Sequence, residues 1–408
     1  MMMTKKATAL LALLAILSLD AGAQTDIWKG ADPQTKAMLL KVDSLVEQQK
    51  YNSAFLALGT EDTNEYVVAK KVELCIAYFV QSIEHTMFAF KDFAPGDTFA
   101  KLRTGAGSYS LYPFDPPKVI GPLLGRSRDP GILYLALGDY YYDVSLRYAG
   151  RWLESDEEVL KRAAENYGKA YGLGFYTAAS LSDYAEEEEK LGDYGTAIEL
   201  LTKSLALDPK LHNADYNLAY CYQKTGQYEL SIASGEKAIE KYKDDPNYRM
   251  DALLMNATSA QLLGQYERAL GYLELCLRIS AEEYRVYQRL GYVYLGLGRL
   301  DKADESLDRL FAFAPANPAA TQMVMEAYLD MKRPERLQAF FERNIKRYAG
   351  QEEVLGNLHF HRGYQYEREG DKEDARKEGQ EAKACFLAAG KYSGDAKEVV
   401  DALIARDS

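Results

Sequence analysis

The chain has 408 residues, with 61 acidic against 49 basic side chains, a formal net charge of −12 and 47% hydrophobic residues. Such a charge repels phosphate, which excludes nucleic acid and anionic membrane surfaces as primary partners. Four cysteines are too few for a disulfide scaffold of this length, and Cys75, Cys221, Cys276 and Cys385 form no CxxC pair, so they read as small buried thiols.

Lys5 and Lys6 precede an apolar run from Ala7 to Leu19, and Ala21-Gly22-Ala23 follows. The run is too short to span a bilayer, and small residues stand where a signal peptidase reads. Residues 1–23 are therefore expected to be a signal peptide cleaved before Gln24, which makes the protein exported, periplasmic or secreted. Losing Lys5, Lys6 and Asp20 moves the charge to about −13. No later stretch is apolar for long enough to predict a membrane span.

Residues 24–130 read as an N-terminal helical region. Thr35 to Gln49 has helical period, Tyr51 to Leu58 is a short partner, and Glu65 to Phe93 reads as one long helix containing Val68, Cys75, Tyr78, Phe79 and Ile83. Ala94 to Pro130 is broken by glycines and prolines and reads as irregular. Its Tyr109-Ser110-Leu111-Tyr112 run implies that parts of it pack. Residues 131–177 then give a helix from Ile132 to Tyr142 and another from Glu157 to Leu173, joined by an insertion through Gly150-Arg151-Trp152.

From Ala178 a ladder begins. Gly192, Gly226, Gly264 and Gly298 follow at spacings of 34, 38 and 34, and Gly370 lies 72 further on. Five residues after each glycine stands a small residue: Ala197, Ser231, Ala269, Ala303 and Ala375. Around one rung, Leu290 and Tyr294 share a helical face, Gly291 and Ala303 allow two helices to approach, Gly298 ends the first helix and Pro315 follows the second. A weaker unit from Pro318 to Gly350 keeps Tyr328 and Phe341 but has Lys332 in the glycine place and Leu337 in the alanine place. A unit from Gly356 recovers the pattern with Gly363, Tyr366, Gly370, Ala375 and Ala382.

The pattern resembles the tetratricopeptide repeat, a helix–turn–helix of about 34 residues. The resemblance implies an all-α fold: a right-handed α-solenoid of such repeats behind an N-terminal helical region. Units start near 178, 212, 250, 284, 318 and 356, so the array covers 178–386. Asp395 to Arg406, within 387–408, reads as a capping helix through Val399, Val400, Leu403 and Ile404.

In that family the first helices line a concave surface where ligands dock. Projecting the repeat phase places Tyr216, Asn217, Tyr220 and Lys224 there from one unit, and Arg285, Gln288, Arg289 and Tyr292 from another. Asn357, Phe360, His361 and Tyr364 come from the last. Tyrosine and arginine suit binding surfaces, although 32 tyrosines dilute the signal. The carboxylate clamp known in some such domains is not assembled. Asn217 matches its middle asparagine, but Ser182 and Glu186 precede it and Asp251 and Met255 follow, while Arg285 and Arg289 lack the asparagine that Met255 replaces. Glu186 to Glu189 reads as a solvated acidic face, with Glu188 where a buried tyrosine is usual, so that unit is expected to pack loosely.

Chemistry is sparse. His359 and His361 are two apart on a helix and point apart, and no HExxH, G-x-S-x-G or Walker sequence occurs. The expectation is no enzyme, no cofactor and no metal site. The chain reads as an exported adaptor for another protein or peptide. Alternatives are a permanent subunit of a secretion or outer-membrane assembly complex, and an enzyme with a site among Asp97, Lys101, Arg103, Asp115, Lys118, Arg126 and Asp129 of the 94–130 segment.

Overall fold

The computed structural model of the chain describes residues 26–105 and 107–405, so the expected signal peptide lies outside the described residues. These form two compact units, the first ending at Gly226 and the second beginning at Gln227. No described helix is long and apolar enough to cross a membrane.

In the first unit, α1 (Pro33–Glu47) starts where the Asp32 carboxylate accepts from the backbone N–H groups of Gln34 and Thr35. α2 (Tyr51–Ala57) and α3 (Glu65–Ala77) follow, with Asn64 capping α3. The helix expected to run to Phe93 stops at Ala77. In its place β1 (Gln81–Ile83) and β2 (Met87–Ala89) pair antiparallel, with Gln81 opposite Ala89 and Ile83 opposite Met87. Glu84 and His85 make the turn with φ of +50° and +51°, and Ile83, which helical period placed inside, is exposed. No glycine or proline marks this turn in the sequence. It is held by burial of His85 and Phe88 against the next long helix.

The segment read as irregular is largely folded. It holds α4 (Phe99–Thr104), β3 (Tyr112–Pro113) paired to β2, and α5 (Pro116–Leu124), with Leu102, Phe114, Ile120 and Leu123 buried. α6 (Pro130–Tyr148) packs along α7 (Asp156–Gly172), closely enough at Gly138 that a Cβ would stand 2.5 Å from the Tyr167 ring. α8 (Ala178–Leu191), α9 (Tyr194–Leu207) and α10 (Ala214–Lys224) complete the unit around Leu181, Ala185, Ala197 and Leu201.

His85 is the contact that fixes the hairpin. It is fully buried, stacks on Tyr140 with centroids 5.3 Å apart and meets Phe79 and Phe88 edge-on. Its Nε2 lies 3.1 Å from Asp143 Oδ2, and Asp143 also takes the Arg147 guanidinium at 2.8 Å. The Phe79 ring is flanked by the guanidinium groups of Arg103 and Arg147, at 4.4 and 5.0 Å.

The second unit is a regular array. α11 (Tyr228–Lys241) precedes α12 (Pro246–Leu262) with α13 (Tyr266–Ile279), α14 (Tyr284–Gly296) with α15 (Leu300–Ala312), α16 (Pro318–Asp330) with α17 (Pro334–Arg347), and α18 (Glu352–Glu369) with α19 (Lys372–Ala388). α20 (Gly394–Ala405) closes it, burying Val400 and Leu403, while Lys383 and Tyr392 hold Asp401. One core runs through Leu253, Leu273, Leu290, Leu307, Tyr328, Phe340 and Phe341. At Gly291 a Cβ would stand 2.5 Å from Leu307, which is the close helix approach that the sequence pattern requires.

Each turn between paired helices is the same device. Gly264, Gly298 and Gly370 adopt φ of +73°, +68° and +86°. The following N–H returns to the last turn: Gln265 to Ala260 O, Arg299 to Tyr294 O, Asp371 to Tyr366 O. Lys332 keeps this conformation at φ +56°, with Arg333 N–H bonded to Tyr328 O at 2.7 Å. Leu337, in the alanine place, is fully buried. The weak unit therefore keeps the geometry and loses only the residue types.

Candidate interaction face

Successive first helices touch one another: α12 meets α14, α14 meets α16, and α16 meets α18. They form one layer of the second unit, with α13, α15, α17 and α19 behind. Outward-facing residues of this layer come from the surface phase of each helix, opposite the apolar stripe.

Between α16 and α18 lies a cavity of about 390 Å³. Met325, Leu329 and Phe360 form its apolar wall, and Gln322, Glu326, His361, Tyr364 and Arg368 its polar side. His361 Nδ1 donates to the Asn357 carbonyl at 2.8 Å, which fixes the tautomer and leaves Nε2 as an acceptor. Burial holds the His361 pKa below the usual imidazole value, so the ring is neutral at pH 7. Phe360 meets that ring edge-on at 5.3 Å.

On α14, Arg285 is tied to Asp251 at 2.8 Å and to Glu283 at 2.9 Å, so its charge is already matched. Tyr292 donates to Asp330 at 3.0 Å, and burial beside that carboxylate raises its pKa above the ordinary phenol value. Gln288 and Arg289 are half-buried. Of the residues read from the sequence, Phe360, His361 and Tyr364 line the cavity, whereas Asn357 does not belong to the face. It is buried, and its Nδ2 donates to the Ala316 carbonyl at 2.8 Å. Tyr216, Asn217, Tyr220 and Lys224 lie on α10 of the first unit, where the Lys224 ammonium sits 5.0 Å from the Tyr220 ring. Gln322, Met325, Glu326 and Leu329 were missed because their helix belongs to the degenerate unit. Extending the repeat phase through Tyr328 was the signal that could have found them.

The acidic run on α8 corrects a sequence reading. Glu187 is fully buried, not solvated, and its Oε1 takes Lys190 at 2.9 Å and Ser145 at 3.3 Å. Glu186 accepts from Tyr142 at 2.9 Å and pairs with Lys190 at 3.0 Å. Burial pushes Asp139 up to about 7 against the opposing hydrogen bond from Tyr167. Burial, then the neighbouring Asp139 and Glu186, push Asp183 up to about 8. Burial also lifts Glu189, which accepts from Cys221 Sγ, to about 7. Nor is the unit loosely packed, since Leu181, Ala185, Ala197 and Leu201 are all buried in one cluster.

Five of the seven titratable groups named in the 94–130 segment hold internal contacts. Asp97 takes Lys91 at 2.8 Å, Asp115 caps α5, Asp129 accepts from Tyr66 at 2.5 Å, and Arg103 donates to the Phe79 carbonyl at 3.0 Å. A larger cavity of about 700 Å³ lies against α15 and α17, and several charges on its wall pair with each other: Arg343 with Asp304 and Asp308, Arg309 with Glu282.

The turn geometry, the small-residue contacts and the layered first helices coincide with one family. A tetratricopeptide repeat model matches residues 190–253 and 261–328. Residues 190–328 carry tetratricopeptide repeats. Among curated relatives, the TPR repeat-containing protein MJ1428 of Methanocaldococcus jannaschii is 26% identical over 170 residues, covering 40% of this chain and 30% of that protein. The chain thus spans less than a third of that relative's length. Among solved structures, a tetratricopeptide repeat protein from Parabacteroides merdae has a TM-score of 0.43 at 19% identity, covering 66% of this chain and 97% of that one. YrrB, described as a TPR protein with an unusual peptide-binding site, has a TM-score of 0.36 at 20% identity, covering 47% and 97%. In this chain the first-helix layer of the second unit is where side-chain chemistry and an open cavity coincide.

Proposed function

We propose that this chain is an exported, non-catalytic scaffold that holds a protein or peptide segment on the first-helix layer of its second unit. The observation that carries the reading is the α16–α18 cavity, whose wall joins apolar side chains to directed polar groups on the first-helix layer. A cavity of this make-up takes one side chain of a partner and orients it through a few polar contacts. Export is supported by the charged start, short apolar run and small-residue site in residues 5–23.

A benzophenone amino acid placed at position 364, activated in the native cells, tests the reading. A discrete crosslinked partner from position 364, absent with the same group at Glu305 of the other layer, is the expected result. Equal labelling from both positions removes the face from the proposal. Recovery of the chain only inside a large assembly, by light scattering on gently solubilised extract, favours the permanent-subunit alternative over reversible binding. An envelope fraction whose N-terminus begins at Gln24 is expected, and an uncleaved cytoplasmic chain refutes the export part.

A further inference from the structure

Resting on the reading that this layer holds a partner, we infer that the segment it takes is acidic: an Asp or Glu side chain seats on Arg289 while a neighbouring large apolar side chain fills the α16–α18 cavity.

The argument starts from an unmatched cation. Arg289 is half-buried on α14, and among the described residues no carboxylate lies within ion-pairing distance of its guanidinium. Arg285, one turn earlier, shows the contrast, with Asp251 and Glu283 both closed on it. Burial holds the Arg289 pKa below the usual guanidinium value, and the nearby Tyr292 only partly offsets that effect. Placing a charge where water is scarce without a counter-charge is unfavourable, and an incoming carboxylate relieves it.

The neighbouring acids are turned to other donors. Asp330 accepts from Tyr292 at 3.0 Å and Glu326 from Gln322 at 2.9 Å. Arg368, at the exposed cavity edge, likewise has no ion pair among the described residues. A planar guanidinium fork matches a carboxylate with two parallel hydrogen bonds, which a phenol or amide does not match.

The carboxylate is a side chain rather than a chain terminus. A terminal group offers a backbone as well as its charge and needs several donors converging on it. The other arginine of α14, Arg285, is already closed by Asp251 and Glu283 and adds no free donor. The chain's net charge of −12 repels acidic partners at a distance, but beyond a Debye length of about 8 Å that charge is screened and the contact at Arg289 decides.

A random dodecapeptide library displayed through its C-terminal end, so that no free carboxyl terminus is presented, is panned against the full chain. Enriched peptides are expected to carry Asp or Glu within about three residues of an aromatic or large aliphatic residue, reflecting the strand rise per residue. The best of them, made as amides, lose about tenfold in affinity in Arg289→Gln and about tenfold when their own Glu is changed to Gln, with little further loss when both changes are combined. Arg289→Lys, which keeps charge without the fork, falls between. Arg289→Gln keeps the wild-type melting temperature, because the guanidinium has no internal partner to lose. Peptides that crosslink to a benzophenone at position 364 but lack acidic enrichment, or are indifferent to Arg289→Gln, overturn the inference and leave the binding function standing. No peptide crosslinking at position 364 overturns both.

Discussion

The two compact units solve the same packing problem in different ways. In the second, each turn within a helix pair is local: a left-handed residue ends the first helix, a small residue (except at Leu337) lets the next approach, and the core extends by addition from Leu253 to Phe341. In the first, the decisive joins are long-range. His85 reaches from a hairpin to Asp143 and Tyr140 of α6, and Tyr142 and Ser145 of α6 reach to the carboxylates of α8. A repeat unit survives loss of its signature residues, as at Lys332, because neighbours above and below hold it. The hairpin has no such redundancy.

The largest expected effect is on the array core. Phe340→Ala removes a fully buried ring and should cost about 3–5 kcal/mol, read as loss of hydrogen-exchange protection across α14–α18 with the first unit unchanged. Loss of protection in both units would break the comparison, since it would mean that they unfold together. Next, His85→Ala should cost about 2–4 kcal/mol in the first unit, from the lost ring contacts and the cavity left among Phe79, Phe88 and Tyr140. A change below ~1 kcal/mol would show that the hairpin is held elsewhere.

A third, smaller effect is pH-dependent. Asp139, Asp183 and Glu189 have folded pKa values raised to about 7, 8 and 7, so the folded first unit binds protons more tightly than the unfolded chain. Their stabilisation is full below the unfolded carboxylate pKa of about 4 and is lost as pH rises through about 7–8. α8 protection, corrected for intrinsic exchange, should therefore fall between pH 5.5 and 8.5, and Asp183→Asn should flatten that dependence. A flat wild-type profile would mean that these carboxylates are relaxed in solution. The smallest effect sharpens the account of the array: Lys332→Gly relieves a positive φ and should change stability by between zero and about +1 kcal/mol, whereas Gly298→Ala at the equivalent turn should cost about 1 kcal/mol. A costly Lys332→Gly would show that the lysine side chain itself holds the turn.

The sequence was most legible where structure is local. Helix ends, turn positions and the buried Ala269 and Ala303 follow from spacing alone, and Phe360, His361 and Tyr364 reached the cavity by phase projection. Asn357 was misplaced because the same phase does not tell an outward residue from one that bonds the preceding loop at Ala316. The long helix from Glu65 failed at Ala77 because no residue between 77 and 93 breaks a helix by itself.

What the amino-acid order determined by itself is the repeat: its period, its turns and its small-residue contacts, since each depends on residues within one or two helical turns of one another. What only the tertiary structure decided is the state of the charged groups. Whether Glu187 is solvated or enclosed, whether Arg285 is matched and Arg289 is not, and whether His85 sits in a helix or a buried turn all depend on partners tens of residues away. Burial and pairing set the energy of a charge, and neither is written in its sequence neighbourhood.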